Sequence, residues 1–257
     1  MSGIHPAAAR GFEAVADAYE RGRPGYPAAA VAHLIEVLRI VPGATVLDLG
    51  AGTGKLTALL EPTGADVVAV EPVDAMRSTL ERRVPRARAL AGAAEAIPLE
   101  DGSVDAATVA QAFHWFDGDR ALTELARVLR PDGRLGLVWN VRDQSVDWVA
   151  TITRILDPYA GDAPRHRSGR WREAFDRTSA FGPLRVERFP FAHRTTPDGL
   201  VDRVLSTSFI GALEPEERAL VRDRVLELTR THPQLAGRGR FDFPYVTEVW
   251  WCERARR

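Results

Sequence analysis

The sequence predicts an α/β fold: a doubly wound, mostly parallel, seven-stranded sheet with helices on both faces and helical insertions in the C-terminal half. Three features predict it, namely seven short strand candidates, helical stretches that alternate with strands in the first half, and a glycine-rich turn after the first strand. Strands that alternate with helices form βαβ units, which build a parallel sheet covered on both faces.

The first half of the chain supplies five of the predicted strands. Each is a short apolar segment bounded by turn residues, as is typical of a buried parallel strand. The helices are predicted where apolar residues recur every three or four positions. The predicted strands span 44–50, 66–71, 87–91, 104–110 and 134–140, and the predicted helices span 31–39, 55–60, 75–83 and 119–129. Residues 131–133, Pro-Asp-Gly, are predicted to turn the chain into the last of these strands.

The alternation of strand and helix stops after Asn140. The predicted elements beyond it are mostly helices over 145–181 and 197–232 and strands over 184–192 and 245–253. Neither a repeat period nor a flexible linker separates this part from the rest. We therefore expect one domain over 1–257, with a cofactor-binding half over 10–140 and a substrate-side half over 141–257 whose helices could form a cap.

The composition excludes several classes of protein. Lysine and arginine number 34 against 35 aspartate and glutamate, so the net charge of −1 gives no basic surplus for a nucleic-acid backbone. Cys252 is the only cysteine, which excludes an intrachain disulfide, and no Cys and His cluster has zinc-like spacing. The sequence shows neither an apolar signal segment nor an apolar run of about 18 residues. We expect a soluble cytoplasmic protein without a metal, a nucleic-acid partner or a membrane anchor; its oligomeric state is open.

The most informative motif is the glycine turn after the first predicted strand, where Gly50, Gly52 and Gly54 follow Asp48. Glycines directly after a strand allow a sharp turn and a close approach of the backbone to a ligand. The next helix begins there, and its first N–H groups favour an anionic group. We therefore expect a ligand with a carboxylate or phosphate at this turn, and the alternative is a turn that only connects strand and helix.

Two nucleotide-binding motifs compete for this turn. A Walker phosphate-binding loop is excluded because Leu49 and Leu56 stand where it needs Gly and Ser or Thr. A dinucleotide fingerprint, G-x-G-x-x-G, fits poorly because Gly54 comes one residue early and Lys55 takes the sixth position. A dinucleotide oxidoreductase is thus a weaker hypothesis.

The turn resembles the cofactor motif of class I S-adenosylmethionine-dependent methyltransferases, in which an acidic residue precedes G-x-G-x-G and a second acidic residue ends the next strand. Asp48, the three glycines and Glu71 occupy those positions. A carboxylate at the end of the second strand suits the two hydroxyls of a ribose. The resemblance implies a Rossmann-like fold and S-adenosylmethionine as cofactor, bound where the strand order reverses.

Further segments resemble the small-molecule branch of that family, methyltransferase type 11 and the trans-aconitate methyltransferase group. They are 92–98, 111–117 directly after the fourth strand, and an N-terminal segment that contains Tyr19, Arg23 and Tyr26. Ala93 departs from the pattern, because many relatives have an aspartate there for the adenine. The resemblance covers 10–140 well and 141–257 only loosely.

The resemblance, together with positions at the strand ends, implies a cofactor site and an acceptor site. The cofactor residues are Tyr19, Arg23, Asp48, Gly50, Ala51, Gly52, Thr53, Glu71, Pro72, Met76, Ala94, Glu95, Gln111 and Ala112. The acceptor residues are Tyr26, His114, Trp115 and Asn140. The N-terminal residues would form a lid that excludes water, or else a solvated turn. Met76 would pack on the adenine, or else fill the core.

His114 is the candidate catalytic base. Methyl transfer is an in-line displacement at a sulfonium carbon, so the protein must align the nucleophile and accept any proton that it loses. His114 follows the fourth strand at the rim of the site, and an imidazole titrates near neutrality. The alternative is that His114 only shapes an aromatic wall, since a carboxylate acceptor would need no base.

The predicted function is methyl transfer from S-adenosylmethionine to a small-molecule acceptor. The alternatives are methylation of RNA or protein and a catalytically silent cofactor-binding module. Arginine and aromatic residues in the second half suit an anionic or planar acceptor, but arginine is common throughout this chain, so none is assigned individually. These residues are Arg142, Trp148, Tyr159, Arg165, His166, Arg170, Trp171 and Phe209.

Overall fold

The computed structural model describes residues 23–256, in which seven strands form one sheet in the order β3-β2-β1-β4-β5-β7-β6. The strands are β1 Thr45–Leu49, β2 Asp66–Val70, β3 Arg88–Leu90, β4 Val104–Ala110, β5 Leu129–Arg142, β6 Arg185–Thr195 and β7 Phe241–Glu253. Strands β1 to β5 pair in parallel, and β7 is antiparallel to both β5 and β6. The predicted seven-stranded, mostly parallel sheet is confirmed.

Strand β1 lies where the strand order reverses. The chain moves outward from β1 to β2 and β3 on one side and returns to β4 and β5 on the other. Val46 and Leu47 are fully buried, as expected for a parallel strand with both faces covered. Ligands of open α/β sheets bind beyond the carboxyl ends of the strands at such a reversal. The glycine turn that follows β1 therefore lies at the ligand-binding edge.

The helices of the first half follow the predicted order. They are α1 Ala28–Val37, α2 Thr57–Leu60, α3 Asp74–Arg83 and α4 Gly118–Val128. Helix α4 buries Leu122 and Leu125 on one face, and the Asp117 carboxylate caps its start by accepting from the Arg120 N–H at 3.3 Å. Helix α1 begins earlier than predicted because the alanines at 28–30 favour a helix, and Ala30 is buried together with Val31 and Leu34.

The predicted turn at 131–133 lies inside β5 as a bulge and does not precede the strand. The pairing register of β4 with β5 shifts between Val104 and Ala106, and Asp132 has a φ of +66°. Extra residues of this kind bend a strand without ending it.

Beyond β5, the stretch over 145–181 is less helical than predicted. It contains α5 Asp147–Leu156, α6 Glu173–Arg177 and three single 3₁₀ turns. Pro164 lacks an N–H for a helix, and Gly161 and Gly169 have positive φ values of 48° and 74°, so the chain between α5 and α6 is mostly loop. The stretch over 197–232 forms α7 Pro197–Leu205, α8 Ser208–Gly211 and α9 Pro215–Thr231. Within 23–256, no helix combines the length and apolar character needed to cross a membrane.

The C-terminal helices pack against one end of the sheet. Trp148 of α5 and Leu200 of α7 share a buried cluster with Phe243 and Tyr245 of β7. Because β7 is antiparallel to β5, its first half lies beside the end of β5, where Tyr245 pairs with Arg142. These helices therefore lie at the same edge of the sheet as the glycine turn.

Candidate functional site

The glycine turn after β1 is held to the end of β2 by its own backbone. The N–H groups of Gly50 and Ala51 donate to the Val70 carbonyl at 2.8 and 3.2 Å. Gly50 and Gly52 have φ values of +68° and +58°, in the left-handed region where most side chains are strained. Glycine is therefore required for the conformation of this turn.

The three glycines differ in what they approach. A Cβ atom on Gly50 would lie 2.9 Å from the Cβ of Ala112, and one on Gly54 would lie 3.0 Å from a side chain of α3. A Cβ on Gly52 would meet, among the described residues, only the Met76 sulfur at 4.0 Å. Gly50 and Gly54 therefore permit close packing, whereas the backbone of Gly52 forms a cradle open to a ligand.

Glu71, the residue after β2, lies beside this cradle with a fixed carboxylate. Its Oε2 accepts from the Gly52 N–H at 2.8 Å and its Oε1 from the Val73 N–H at 2.9 Å. Burial raises the pKa of the carboxyl above its usual value, and the two backbone bonds oppose that shift. Each oxygen keeps a lone pair, so the carboxylate can still accept from a ligand hydroxyl.

Asp48 is fully buried at the end of β1 and contacts two threonines. Thr57 Oγ1 donates to its Oδ2 at 2.6 Å, and Thr108 Oγ1 donates to its Oδ1 at 3.1 Å. Burial raises the pKa of Asp48 to about 6, against the effect of these hydrogen bonds. Asp48 thus connects β1 to α2 and β4 behind the glycine turn, and its contact with a cofactor stays a prediction.

The other predicted cofactor residues differ in their exposure. Thr53, Met76 and Ala94 are buried, and Ala51, Pro72, Glu95 and Ala112 are half-buried. The Glu95 carboxylate accepts from the Asp117 N–H at 2.9 Å. Tyr19 lies outside the described residues. No group of three or more His, Cys, Asp or Glu side chains within 23–256 is arranged to hold a metal ion.

Two cavities meet at this edge of the sheet. The glycine cavity is lined by residues 50–53 together with Tyr26. The arginine cavity, of about 170 Å³, is lined by His114, Trp115 and Trp139 and by arginines from several elements. Four residues line both cavities, and they are Arg23, Gln111, Asn140 and Arg203. We call the place where they meet the junction.

Asn140 and Gln111 shape the junction. Asn140 Nδ2 donates to the Gly25 carbonyl at 2.8 Å, and its Oδ1 accepts from Thr247 Oγ1 at 2.6 Å, which fixes the orientation of the amide. Gln111 has a φ of +58°, and its N–H donates to the Val138 carbonyl at 2.8 Å. A non-glycine residue in this conformation costs about 1 kcal/mol or more, and such strain clusters at functional sites.

His114 lies on a single 3₁₀ turn after β4 and lines the arginine cavity. The indole N–H of Trp139 donates to its Nδ1 at 3.2 Å. An indole N–H can only donate, so Nδ1 is the unprotonated nitrogen and the neutral ring carries its proton on Nε2. Burial, followed by the electrostatic interaction with His166 and Arg23, lowers the pKa of His114 from 6.5 to about 3.

The role of His114 as a catalytic base stays a prediction, and the geometry adds an alternative in which the ring donates a hydrogen bond. Nδ1 already accepts a hydrogen bond, and Nε2 carries a proton and therefore donates. The sequence could not reveal this arrangement because Trp139 is 25 positions away in the chain. In the structure, His114 lies at the wall of the arginine cavity, where its Nε2–H could donate to a ligand.

The positive charge of the arginine cavity comes partly from residues that sequence analysis missed. Arg142 and Arg165 have no role assigned from the sequence, and Arg167 and Arg203 are not among the residues that the sequence indicates. On α7, Arg203 has no acidic residue three or four positions away. Ion pairs on a helix surface need that spacing. An arginine without such an acidic neighbour is a candidate for binding a ligand, and Arg203 could have been identified from the sequence in this way.

Comparisons with known proteins agree with this architecture. A family model described as a methyltransferase domain matches residues 47–137. An uncharacterised methyltransferase of Mycobacterium tuberculosis is 44% identical over 246 residues, which are 95% of this chain and 94% of the relative. The solved structure of a candidate type II methyltransferase from Anaeromyxobacter dehalogenans has a TM-score of 0.67 at 26% identity, covering 90% of this chain and 97% of that chain.

A more distant structure shows the same fold. The geranyl diphosphate C-methyltransferase of Streptomyces coelicolor, solved with Mg²⁺, geranyl diphosphate and S-adenosyl-L-homocysteine, has a TM-score of 0.52 at 16% identity. The match covers 88% of this chain and 77% of that chain. Because the similarity to the mycobacterial relative extends over almost the whole length of both chains, this chain belongs to the class I S-adenosylmethionine-dependent methyltransferase family.

Proposed function

We propose that the protein transfers the methyl group of S-adenosylmethionine to a small-molecule acceptor. The observation that carries the proposal is the junction, because four residues line both the glycine cavity and the arginine cavity. A donor in the first cavity and an acceptor in the second would face each other there. In-line displacement needs this juxtaposition of the two reactants.

The residues around the glycine turn suit the donor. The Gly52 backbone forms an open cradle, and the Glu71 carboxylate beside it keeps lone pairs for the hydroxyls of a ribose. The geranyl diphosphate C-methyltransferase of Streptomyces coelicolor, which shares the fold, was solved with S-adenosyl-L-homocysteine, the demethylated form of this donor. When bound, S-adenosylmethionine supplies an electrophilic methyl group on an activated leaving group. The task of the protein is then to orient the acceptor and to exclude water.

The arginine cavity suits a compact acceptor. Its volume of about 170 Å³ is below the roughly 300 Å³ at which pockets for drug-sized ligands begin. Trp115, Trp139 and His166 provide aromatic walls for orienting such a molecule. The balanced net charge of −1 favours a small acceptor over RNA, which would need a basic surface.

Two measurements test the proposal. In calorimetry, S-adenosylmethionine and S-adenosylhomocysteine should bind saturably and NAD should not; binding of NAD alone would favour the oxidoreductase hypothesis. With methyl-labelled donor, label should enter a dialysable metabolite fraction. Label in RNA or protein only would contradict the acceptor class, and donor binding without any transfer would favour a silent module.

A further inference from the structure

We propose that Arg142 and Arg203 form an oxyanion-binding subsite in the arginine cavity, so that the acceptor is a small anionic metabolite with a carboxylate or a phosphate group. Its role in acceptor binding rests on the proposed methyl transfer. The subsite itself follows from the geometry of two guanidinium groups that line one cavity.

Arg142, at the end of β5, carries a charge that the protein leaves uncompensated. Within the described part of the chain it makes neither a hydrogen bond nor an ion pair through its side chain. Burial, and then the like charge of Arg203, lowers its pKa to about 10, so the guanidinium is still protonated at neutral pH. Enclosing a charged group without a partner is unfavourable. A bound anion would remove that penalty.

Arg203, on α7, is oriented by neutral oxygens. Its Nε donates to the hydroxyl of Tyr245 at 3.0 Å, and its Nη1 lies 3.5 Å from Thr207 Oγ1. Neither contact neutralises the charge. Tyr245 is also the cross-strand partner of Arg142, so one residue of β7 lies next to both arginines. A guanidinium that is oriented in advance loses less entropy when it binds an anion.

The acidic group of the cavity is already engaged elsewhere. Asp157 is the carboxylate among the lining residues in the described ranges, and both Arg165 and Arg167 pair with it. The positive charges of Arg142 and Arg203 are therefore in excess. Guanidinium groups bind carboxylate and phosphate oxygens with two parallel hydrogen bonds, which makes an oxyanion the matching ligand.

The position of Arg203 connects the subsite with methyl transfer. Arg203 lines the glycine cavity as well as the arginine cavity, so an anion bound to it lies at the junction. An acceptor held there would be oriented toward the donor. A neutral analogue would leave the charges of both guanidinium groups uncompensated, so the subsite would select anionic acceptors.

The subsite can be tested without a methyl donor. Inorganic phosphate and succinate are titrated separately into the full-length protein at constant ionic strength, and binding is followed by calorimetry and tryptophan fluorescence. We expect saturable binding of at least one probe. Arg142→Gln and Arg203→Gln should each weaken it about 10- to 100-fold, because each removes one charge-assisted pair. Tighter binding of phosphate would assign a phosphorylated acceptor, and tighter binding of succinate a carboxylate.

The matched control is Arg86→Gln, which removes the same charge from a side chain that is 79% exposed. It should leave binding unchanged. Arg142→Lys keeps the charge without the planar fork and should give an intermediate affinity. The subsite would be overturned if neither probe bound saturably, or if Arg86→Gln lost as much affinity for the probe as Arg142→Gln and Arg203→Gln. Failure of S-adenosylmethionine to bind would instead overturn the proposed function. The binding of phosphate or succinate would still show whether the oxyanion subsite exists.

Discussion

The indole N–H of Trp139 donates to Nδ1 of His114 across 3.2 Å. Trp139 belongs to β5 and His114 to the turn after β4, so this bond joins two neighbouring strands at the carboxyl edge of the sheet. It fixes the tautomer that presents Nε2–H. A donor at this position suits an acceptor that arrives without a proton to lose, such as a carboxylate.

We expect His114 to stay neutral where a free histidine titrates. Its pKa is about 3 in the folded protein, against 6.5 for an unperturbed group, so the native state binds fewer protons than the unfolded state. The stability that depends on the neutral ring should therefore be lost as the pH falls from about 6.5 toward 3. NMR of the imidazole nitrogens should show the Nε2–H tautomer between about pH 5 and 8. The resonance of His114 is identified by its loss in His114→Ala. If that resonance titrated near pH 6.5 in the parent protein, the lowered pKa would be contradicted.

Substitutions at His114 should separate a donor from a base. His114→Gln places an amide N–H close to the position of Nε2, whereas His114→Ala removes the donor. We expect the alanine variant to lose about tenfold or more in kcat/KM and the glutamine variant to keep most of it. A catalytic base would instead be supported if both variants lost kcat/KM equally and if the rate of methyl transfer by the parent protein fell at acidic pH.

We expect Gly52→Val to abolish or strongly weaken donor binding. The new side chain would fill the open cradle, and at least a tenfold loss of affinity for S-adenosylmethionine should be seen in calorimetry. Gly102→Val is the matched control, because Gly102 has the same φ of +58° and a Cβ added there would meet no described atom within 4 Å. Both variants should lose similar stability from backbone strain, about 1 to 3 kcal/mol. Unchanged donor affinity in Gly52→Val would exclude the cradle as the donor site.

We expect Thr57→Val to destabilise the protein in a pH-dependent way. The pKa of Asp48 is raised from 3.8 to about 6, so its protonated form is favoured in the folded state, and its contribution to stability falls as the pH rises from about 4 through 6. Removing the 2.6 Å bond from Thr57 should cost about 1.5 to 3 kcal/mol when the carboxylate is charged, and less below pH 6.

Urea unfolding of this variant at pH 7.5 and pH 5 measures the difference. Thr123→Val is the control, since the exposed Thr123 hydroxyl bonds only to the Asp119 carbonyl of its own helix. Its effect should be small and equal at both pH values. An equal loss at both pH values for Thr57→Val would contradict a charged, hydrogen-bonded Asp48.

The sheet and the cofactor turn were predictable because their signals are local. The apolar segments of β1 and β2, the glycines between them and Glu71 lie within about 25 residues, and their order is enough to predict a βαβ unit with a ligand-binding turn. Prediction failed where local signals conflict. Residues 145–181 contain apolar residues at helical spacing but also Pro164 and Gly169, and the loop conformation prevails between α5 and α6.

The roles of individual side chains depend on partners that are distant in sequence. The tautomer of His114 depends on Trp139, 25 positions away, and Arg203 is oriented by Tyr245, 42 positions away. The sequence predicts where a strand ends and which residues follow it, since backbone conformation responds to neighbouring residues. A tautomer, a shifted pKa or an uncompensated charge depends on which groups lie within a few ångströms. Strand order and the packing of α7 against β7 bring those groups together.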